Sequence, residues 1–137
     1  MAKFSGAPVA PGVRSRHDGP MSTTVLIVDD HASFRELARR MLEAAGYEIV
    51  VEAHDAASAL AAAARLHPDV VLLDIQLPDV DGFAVSERLA ADEEPPVVVL
   101  ISSRNESAYR RRLAASPARG FIAKGELSGP ALAALVS

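Results

Sequence analysis

The stretch VLIVDDHASF, residues 25–34, runs an aliphatic segment straight into two adjacent carboxylates, Asp29 and Asp30. A short continuous apolar run that ends at polar residues reads as a strand buried on both faces, surfacing where the acids begin. Two like charges at that point repel each other, unless they serve a turn or helix cap or share a cation.

Similar runs follow at steps of about two dozen residues, the spacing of strand–helix–strand units. They are TTVLIVD (23–29), YEIVVEA (47–53), DVVLLD (69–74), PVVVLIS (96–102) and RGFIA (119–123). Near-continuous aliphatic strands suit a parallel sheet covered by helices on both sides. Between the first two, Phe34, Leu37, Ala38, Met41, Leu42 and Ala45 recur at helical spacing behind a Ser33/Glu36 capping box, and Gly46 ends the pattern. DAASALAAAARLH (55–67) predicts an alanine-rich helix stopped by Pro68, and GFAVSERLAADEE (82–94) a third that ends before Pro95 and Pro96. Ser103 and Glu106 predict a second capping box ahead of SAYRRRLAAS (107–116), while SGPALAALVS (128–137) places Pro130 in a first helical turn. The expected fold is therefore α/β and flavodoxin-like: a doubly wound five-stranded parallel sheet, order 2-1-3-4-5, with five helices.

Residues 1–20, rich in Gly, Pro, Ser and Arg without apolar periodicity, are expected to form a disordered tail, and residues 21–137 one compact domain. The 137 residues carry a formal charge of −4, and residues 21–137 hold 11 basic against 17 acidic side chains, or −6. This balance argues against bulk electrostatic binding of nucleic acid. Without cysteine, disulfides, zinc-thiolate sites and thiol nucleophiles are excluded. No apolar run reaches the length of a membrane span or a secretory core, so a soluble, cytoplasmic protein is expected.

In a sheet of this order the ligand crevice lies at the carboxyl ends of the strands, where strands 1 and 3 diverge. Strand 1 ends in Asp29 and Asp30, strand 3 in Asp74, strand 4 in Ser102 and Ser103, and strand 5 in Lys124. Each alone has an ordinary reading as a turn, a cap or a solvated loop. Three carboxylates together need a cation, and a hard divalent ion such as magnesium takes one or two carboxylates plus other oxygens. Lys124 is the single lysine in residues 21–137 of an otherwise arginine-based chain, and a compact ammonium suits one charged oxygen at short reach. His31, His54 and His67 lack ligand-like spacing and read as surface residues, although His31 directly follows the acidic pair.

The segment LLDIQLPDVDGFAV (72–85) resembles the phosphoacceptor segment of response-regulator receiver domains. With VDD (28–30), SS (102–103) and FIAK (121–124), the likeness covers residues 23–137. It implies a phosphorelay signalling domain in which Asp74 is the phosphoacceptor and also a Mg2+ ligand, Asp30 binds Mg2+ directly, Asp29 binds it through water, and the Gln76 carbonyl is a further ligand. Ser102 is then the switch hydroxyl, Lys124 the phosphate-binding ammonium, and Phe121 the aromatic that changes rotamer without a tyrosine's hydroxyl. Asp79 and Asp81 read as turn formers.

The resemblance further implies a histidine kinase or phosphotransfer protein as donor. Its output is a downstream protein or a self-dimer formed through helix 4, strand 5 and helix 5, where Tyr109 and Arg110–Arg112, with Arg104 and Arg119 nearby, offer a docking patch. The residues given end at Ser137 without a helix-turn-helix, so this chain alone is expected to bind no DNA directly. The rival readings are a magnesium-dependent phosphatase with an aspartyl-phosphate intermediate, and an interaction module independent of phosphorylation.

Overall fold

The computed structural model describes residues 22–137; the expectation for the tail at 1–20, and Met21 itself, lie outside the described residues. Five parallel strands, β1 (Thr24–Val28), β2 (Glu48–Ala53), β3 (Val70–Asp74), β4 (Val97–Ser102) and β5 (Gly120–Ala123), form one sheet in the order β2-β1-β3-β4-β5. The helices are α1 (Ala32–Ala44), α2 (Ala56–Leu66), α3 (Gly82–Ala90), α4 (Arg110–Ala115) and α5 (Gly129–Val136). Two 3-10 turns, Glu106–Tyr109 and Lys124–Glu126, precede α4 and α5. Among the described residues no helix is long and apolar enough to cross a membrane.

Alternate residues of each strand enter opposite layers, as the two-residue period of a strand requires. Leu26, Val28, Val71, Leu73, Val98 and Leu100 pack with the buried alanines of α2 and with Phe83, Val85 and Leu89 of α3. Val25, Ile27, Val70, Leu72, Val99 and Ile101 pack on the other face with Ala38 and Leu42 of α1 and Leu132 of α5. The alanine face of α2 lets that helix lie close to the sheet. At the opposite end from the carboxyl termini, Thr24 and Asp69 lock β1 to β3: the Thr24 amide and hydroxyl donate to Asp69 Oδ2 at 2.9 and 3.0 Å, and the Asp69 amide donates to Thr24 Oγ1 at 2.9 Å.

The helix starts depart from the sequence expectation. Neither proposed capping box forms: His31, not Ser33, is the N-cap of α1, and Asn105, not Ser103, precedes the Glu106–Tyr109 turn. The reason at α1 is local competition, because Asp29 Oδ1 accepts the His31 amide at 2.8 Å and starts the helix two residues before Ser33 could. Asp81 is more than a turn former, since its carboxylate accepts the Ala84 amide and caps α3. Asp79 reaches further and accepts the amides of Ala56 and Ala57, at 2.9 and 3.1 Å, at the N-terminus of α2.

Candidate functional site

The β1 and β3 ends bring the acids together. Asp29 is fully buried, Asp74 is 2% exposed, and Asp30 lies at the rim. Ligand atoms of Asp29, Asp30, His31 and Asp74 all fall within 4.8 Å of one another. Asp74 is held by its own loop, as the Gln76 amide donates to Asp74 Oδ1 at 3.0 Å. Behind it, the Gly82 amide donates to the Ile75 carbonyl at 2.8 Å. A Cβ on Gly82 would stand 2.5 Å from the Asp74 carbonyl oxygen, so only glycine lets α3 begin this close to the strand.

Lys124 follows β5 and points inward, with its side chain 15% exposed. Nζ lies 2.5 Å from Asp29 Oδ2, a close ion pair without hydrogen-bond alignment, and donates to Asp74 Oδ2 at 3.3 Å. Phe34 of α1 flanks the ammonium, whose nitrogen sits 4.8 Å from the ring centroid. Burial is the largest influence on Lys124 and works against its charge, yet Asp29 and Asp74 outweigh it and hold the pKa above its ordinary value. Asp74 moves the same way for another reason: burial, reinforced by the Asp29 charge, raises its pKa against the opposing Gln76 amide and Lys124.

The opposite flank is braced by arginine. Arg35 donates from Nη1 to the Asp29 carbonyl at 2.6 Å and pairs through Nε with Glu52 at 3.2 Å, while Arg39 Nε meets the second Glu52 oxygen at 2.6 Å. His31 Nδ1 stands 3.0 Å from one oxygen each of Asp29 and Asp30. Neither contact belongs to the sequence expectation. The histidine is two-thirds exposed, so the surface reading holds for its ring although one nitrogen faces the acids.

Beside Ser102 and Phe121 the structure places Tyr109, which the sequence reading had put on the surface. Ser102 is fully buried, and its Oγ accepts the Arg104 amide at 3.1 Å and shares a hydrogen bond with the Tyr109 hydroxyl, also at 3.1 Å. Tyr109, expected on a docking surface, is 8% exposed and lies between Phe83 and Phe121, with ring centroids 5.9 and 6.1 Å away. Phe121 is half-buried against the same cluster. The space beside Ser102 thus belongs to a tyrosine from the turn before α4. A signal for this existed: Tyr109 and Leu113, four residues apart, are the large apolar side chains of an arginine-rich stretch and mark its inward face. All three arginines are exposed; Arg112 in addition stacks over Phe83 at 4.2 Å and pairs with Asp81 at 2.6 Å.

The carboxylates of Asp29, Asp30 and Asp74 offer hard oxygen donors, and a divalent cation would offset both the burial and the Asp29 charge that raise the Asp74 pKa. Magnesium fits this donor set.

A doubly wound sheet with three acids and a lysine at the carboxyl ends of its strands defines an α/β class whose site suits a phosphoryl group and a divalent cation. The sequence pattern of the response regulator receiver domain matches residues 25–135, and the chain belongs to that family, whose members are phosphoacceptor signalling domains of two-component systems. A transcriptional regulator of Pseudomonas aeruginosa, so described putatively, is 39% identical over 102 residues, covering 74% of this chain and 49% of the relative. The virulence-factor transcription regulator BvgA of Bordetella pertussis is 35% identical over 106 residues, covering 77% of this chain and 51% of its own length. The chain therefore spans about half the length of these curated relatives. Among solved structures, the receiver domain of the response regulator NarL of Mycobacterium tuberculosis superimposes with a TM-score of 0.75 at 34% identity, over 85% of this chain and 98% of that one.

Proposed function

We propose that Asp74 accepts a phosphoryl group from the phosphohistidine of a histidine kinase or phosphotransfer protein in the cytoplasm, and that residues 21–137 act as one receiver unit. The observation that carries this reading is the convergence of Asp29, Asp74 and Lys124 within one buried pocket. A carboxylate oxygen of Asp74 attacks phosphorus as the bond to the imidazole nitrogen breaks, leaving an acyl phosphate on Asp74 and a free imidazole on the donor. Lys124 neutralises charge on the phosphoryl oxygens from one side. Asp29, Asp30, Asp74 and the Gln76 carbonyl would hold Mg2+, which when bound supplies the remaining charge neutralisation. Ser102 provides a hydroxyl for the phosphoryl group once its present partners release it. Water attack on the acyl phosphate returns Asp74 to a carboxylate and frees inorganic phosphate, so turnover is confined to the protein's own modification.

The output surface in this reading is α4, β5 and α5, where the exposed Arg110 and Arg111 face a downstream protein or a second copy. The acidic balance of residues 21–137 goes with no specific duplex binding by these residues alone, which a gel-shift titration at physiological salt checks. The central experiment is incubation with acetyl phosphate and magnesium followed by intact mass. One added phosphoryl group, absent in Asp74→Asn, is expected. Uptake unchanged in that variant would overturn the assignment.

A further inference from the structure

Among the described residues, the hydrogen bond between Ser102 and Tyr109 is a buried polar contact at the strand end next to Asp74. Ser102 Oγ carries one proton and two lone pairs. In the structure it accepts the Arg104 amide and shares a bond with the Tyr109 hydroxyl, and both side chains are shielded from water. With Ser102 as the donor in the Tyr109 bond, its one proton cannot also go to a phosphoryl oxygen on Asp74, and the hydroxyl has to turn toward the neighbouring strand end to donate there. β3 and β4 pair with Asp74 opposite Ile101, one residue before Ser102.

Resting on the phosphoacceptor reading above, we propose that Tyr109 is a positioning residue that holds Ser102 in the resting state, and that phosphorylation of Asp74 releases its ring from between Phe83 and Phe121. Once Ser102 turns, the phenol hydroxyl has no protein partner recorded in its pocket, and a buried unpaired hydroxyl is unfavourable. Water lies close by: an open pocket of about 440 Å³ is lined by Ser107–Arg112, the segment that carries Tyr109. The backbone is suited to the movement, because Tyr109 is the junction between a single 3-10 turn and a helix of only six residues with no buried side chain. Departure of the ring frees the contact that Phe121 makes with it and displaces Arg110 and Arg111, which follow directly in the chain. Tyr109 thus couples the phosphoryl site to the arginine surface, and Phe121 moves second, into space that Tyr109 leaves.

The composition makes the test direct. The chain has two tyrosines, Tyr47 and Tyr109, and no tryptophan, so in a Tyr47→Phe background the emission comes from Tyr109. Beryllofluoride with magnesium mimics the phosphoryl group, and its occupancy is read separately by fluorine NMR. With the mimic bound, acrylamide quenching of Tyr109 should rise several-fold. Ser102→Thr in the same background should keep that rise, whereas Ser102→Ala should show the same quenching with and without the mimic. Tyr109→Phe keeps the ring and removes the latch, so half-saturation by beryllofluoride should need about three- to tenfold less mimic, the scale of one net hydrogen bond. Fluorine signals that show full occupancy while Tyr109 quenching stays at its resting value would overturn the inference and leave the phosphoacceptor reading intact, as would unchanged half-saturation in Tyr109→Phe. Failure of beryllofluoride to bind at all would overturn both.

Discussion

Lys124 Nζ lies closer to Asp29 than to Asp74, at 2.5 against 3.3 Å. The lysine is thus the present counter-ion of the fully buried acid and only a looser partner of the acid assigned to accept the phosphoryl group. Removing it leaves Asp29 as a buried charge with no cation. Lys124→Met should destabilise the metal-free protein by about 3–5 kcal/mol, the scale for breaking a buried pair from one side. Added magnesium should restore part of that loss. Urea unfolding with and without magnesium measures both effects, and equal curves for variant and parent would contradict the role given to the pair.

Asp74 sits on the other side of the balance. Its pKa is raised, chiefly by burial, so its ionised form is less favourable in the folded chain than in the unfolded one. At neutral pH that group lowers stability, and neutralising it should help. Asp74→Asn, assayed without metal, should melt higher than the parent by a few degrees, about 1 kcal/mol in a domain of this size. The gain should shrink when magnesium is present, because the parent then has its cation. Calorimetry in chelator and in magnesium distinguishes these cases.

Gly82 offers a steric test of how firmly Asp74 is seated. A Cβ there meets the Asp74 carbonyl oxygen at 2.5 Å and the Ile75 Cα at 2.8 Å, both main-chain atoms that cannot swing aside. Gly82→Ala should cost about 1–3 kcal/mol as overpacking, and should slow phosphoryl uptake through displacement of the strand end. Denaturant midpoints and acetyl phosphate labelling rates are the measurements. A variant with parental stability and rate would show that α3 yields without moving Asp74.

The pH dependence of the arginine brace has a definite sign. Glu52 has its pKa lowered below 4.5, first by the Arg39 hydrogen bond and then by the remaining charge of Arg39 and Arg35, despite some burial. A carboxyl with a depressed folded pKa contributes stability that is fully present above its unfolded value and is lost as pH falls through the folded one. Glu52→Gln should therefore lower the melting temperature at neutral pH, by the equivalent of about 0.5–1 kcal/mol for so solvent-screened a cluster, and the gap to the parent should close below pH 4.5. A gap that persists unchanged in acid would assign the loss to packing.

The sheet was readable because four of its strands are aliphatic nearly end to end and the edge strand β2 alone carries glutamates, at Glu48 and Glu52, and the observed bounds lie within a residue or so of those runs. The acids and Lys124 were readable because they stand where those runs stop. Helix starts were not, since a capping motif is scored on side chains three apart while the contest at His31 is settled by Asp29, the residue that follows β1. The reach of Asp79 to α2 spans 23 positions and leaves no local trace. Tyr109 was misplaced because its neighbours are arginines, and a stretch of such charge reads as solvated even where one ring turns inward.

The bonds from Asp79 to the α2 amides bear on how fast a donor can be served. The segment after Asp74 is tied at its far side to a helix anchored in the core, so it has little freedom left to lose when another protein docks. If the proposed donor docks on this segment, encounter would resemble the meeting of two rigid bodies, and differences in affinity between donors would lie mostly in how long each complex lasts rather than in how often it forms.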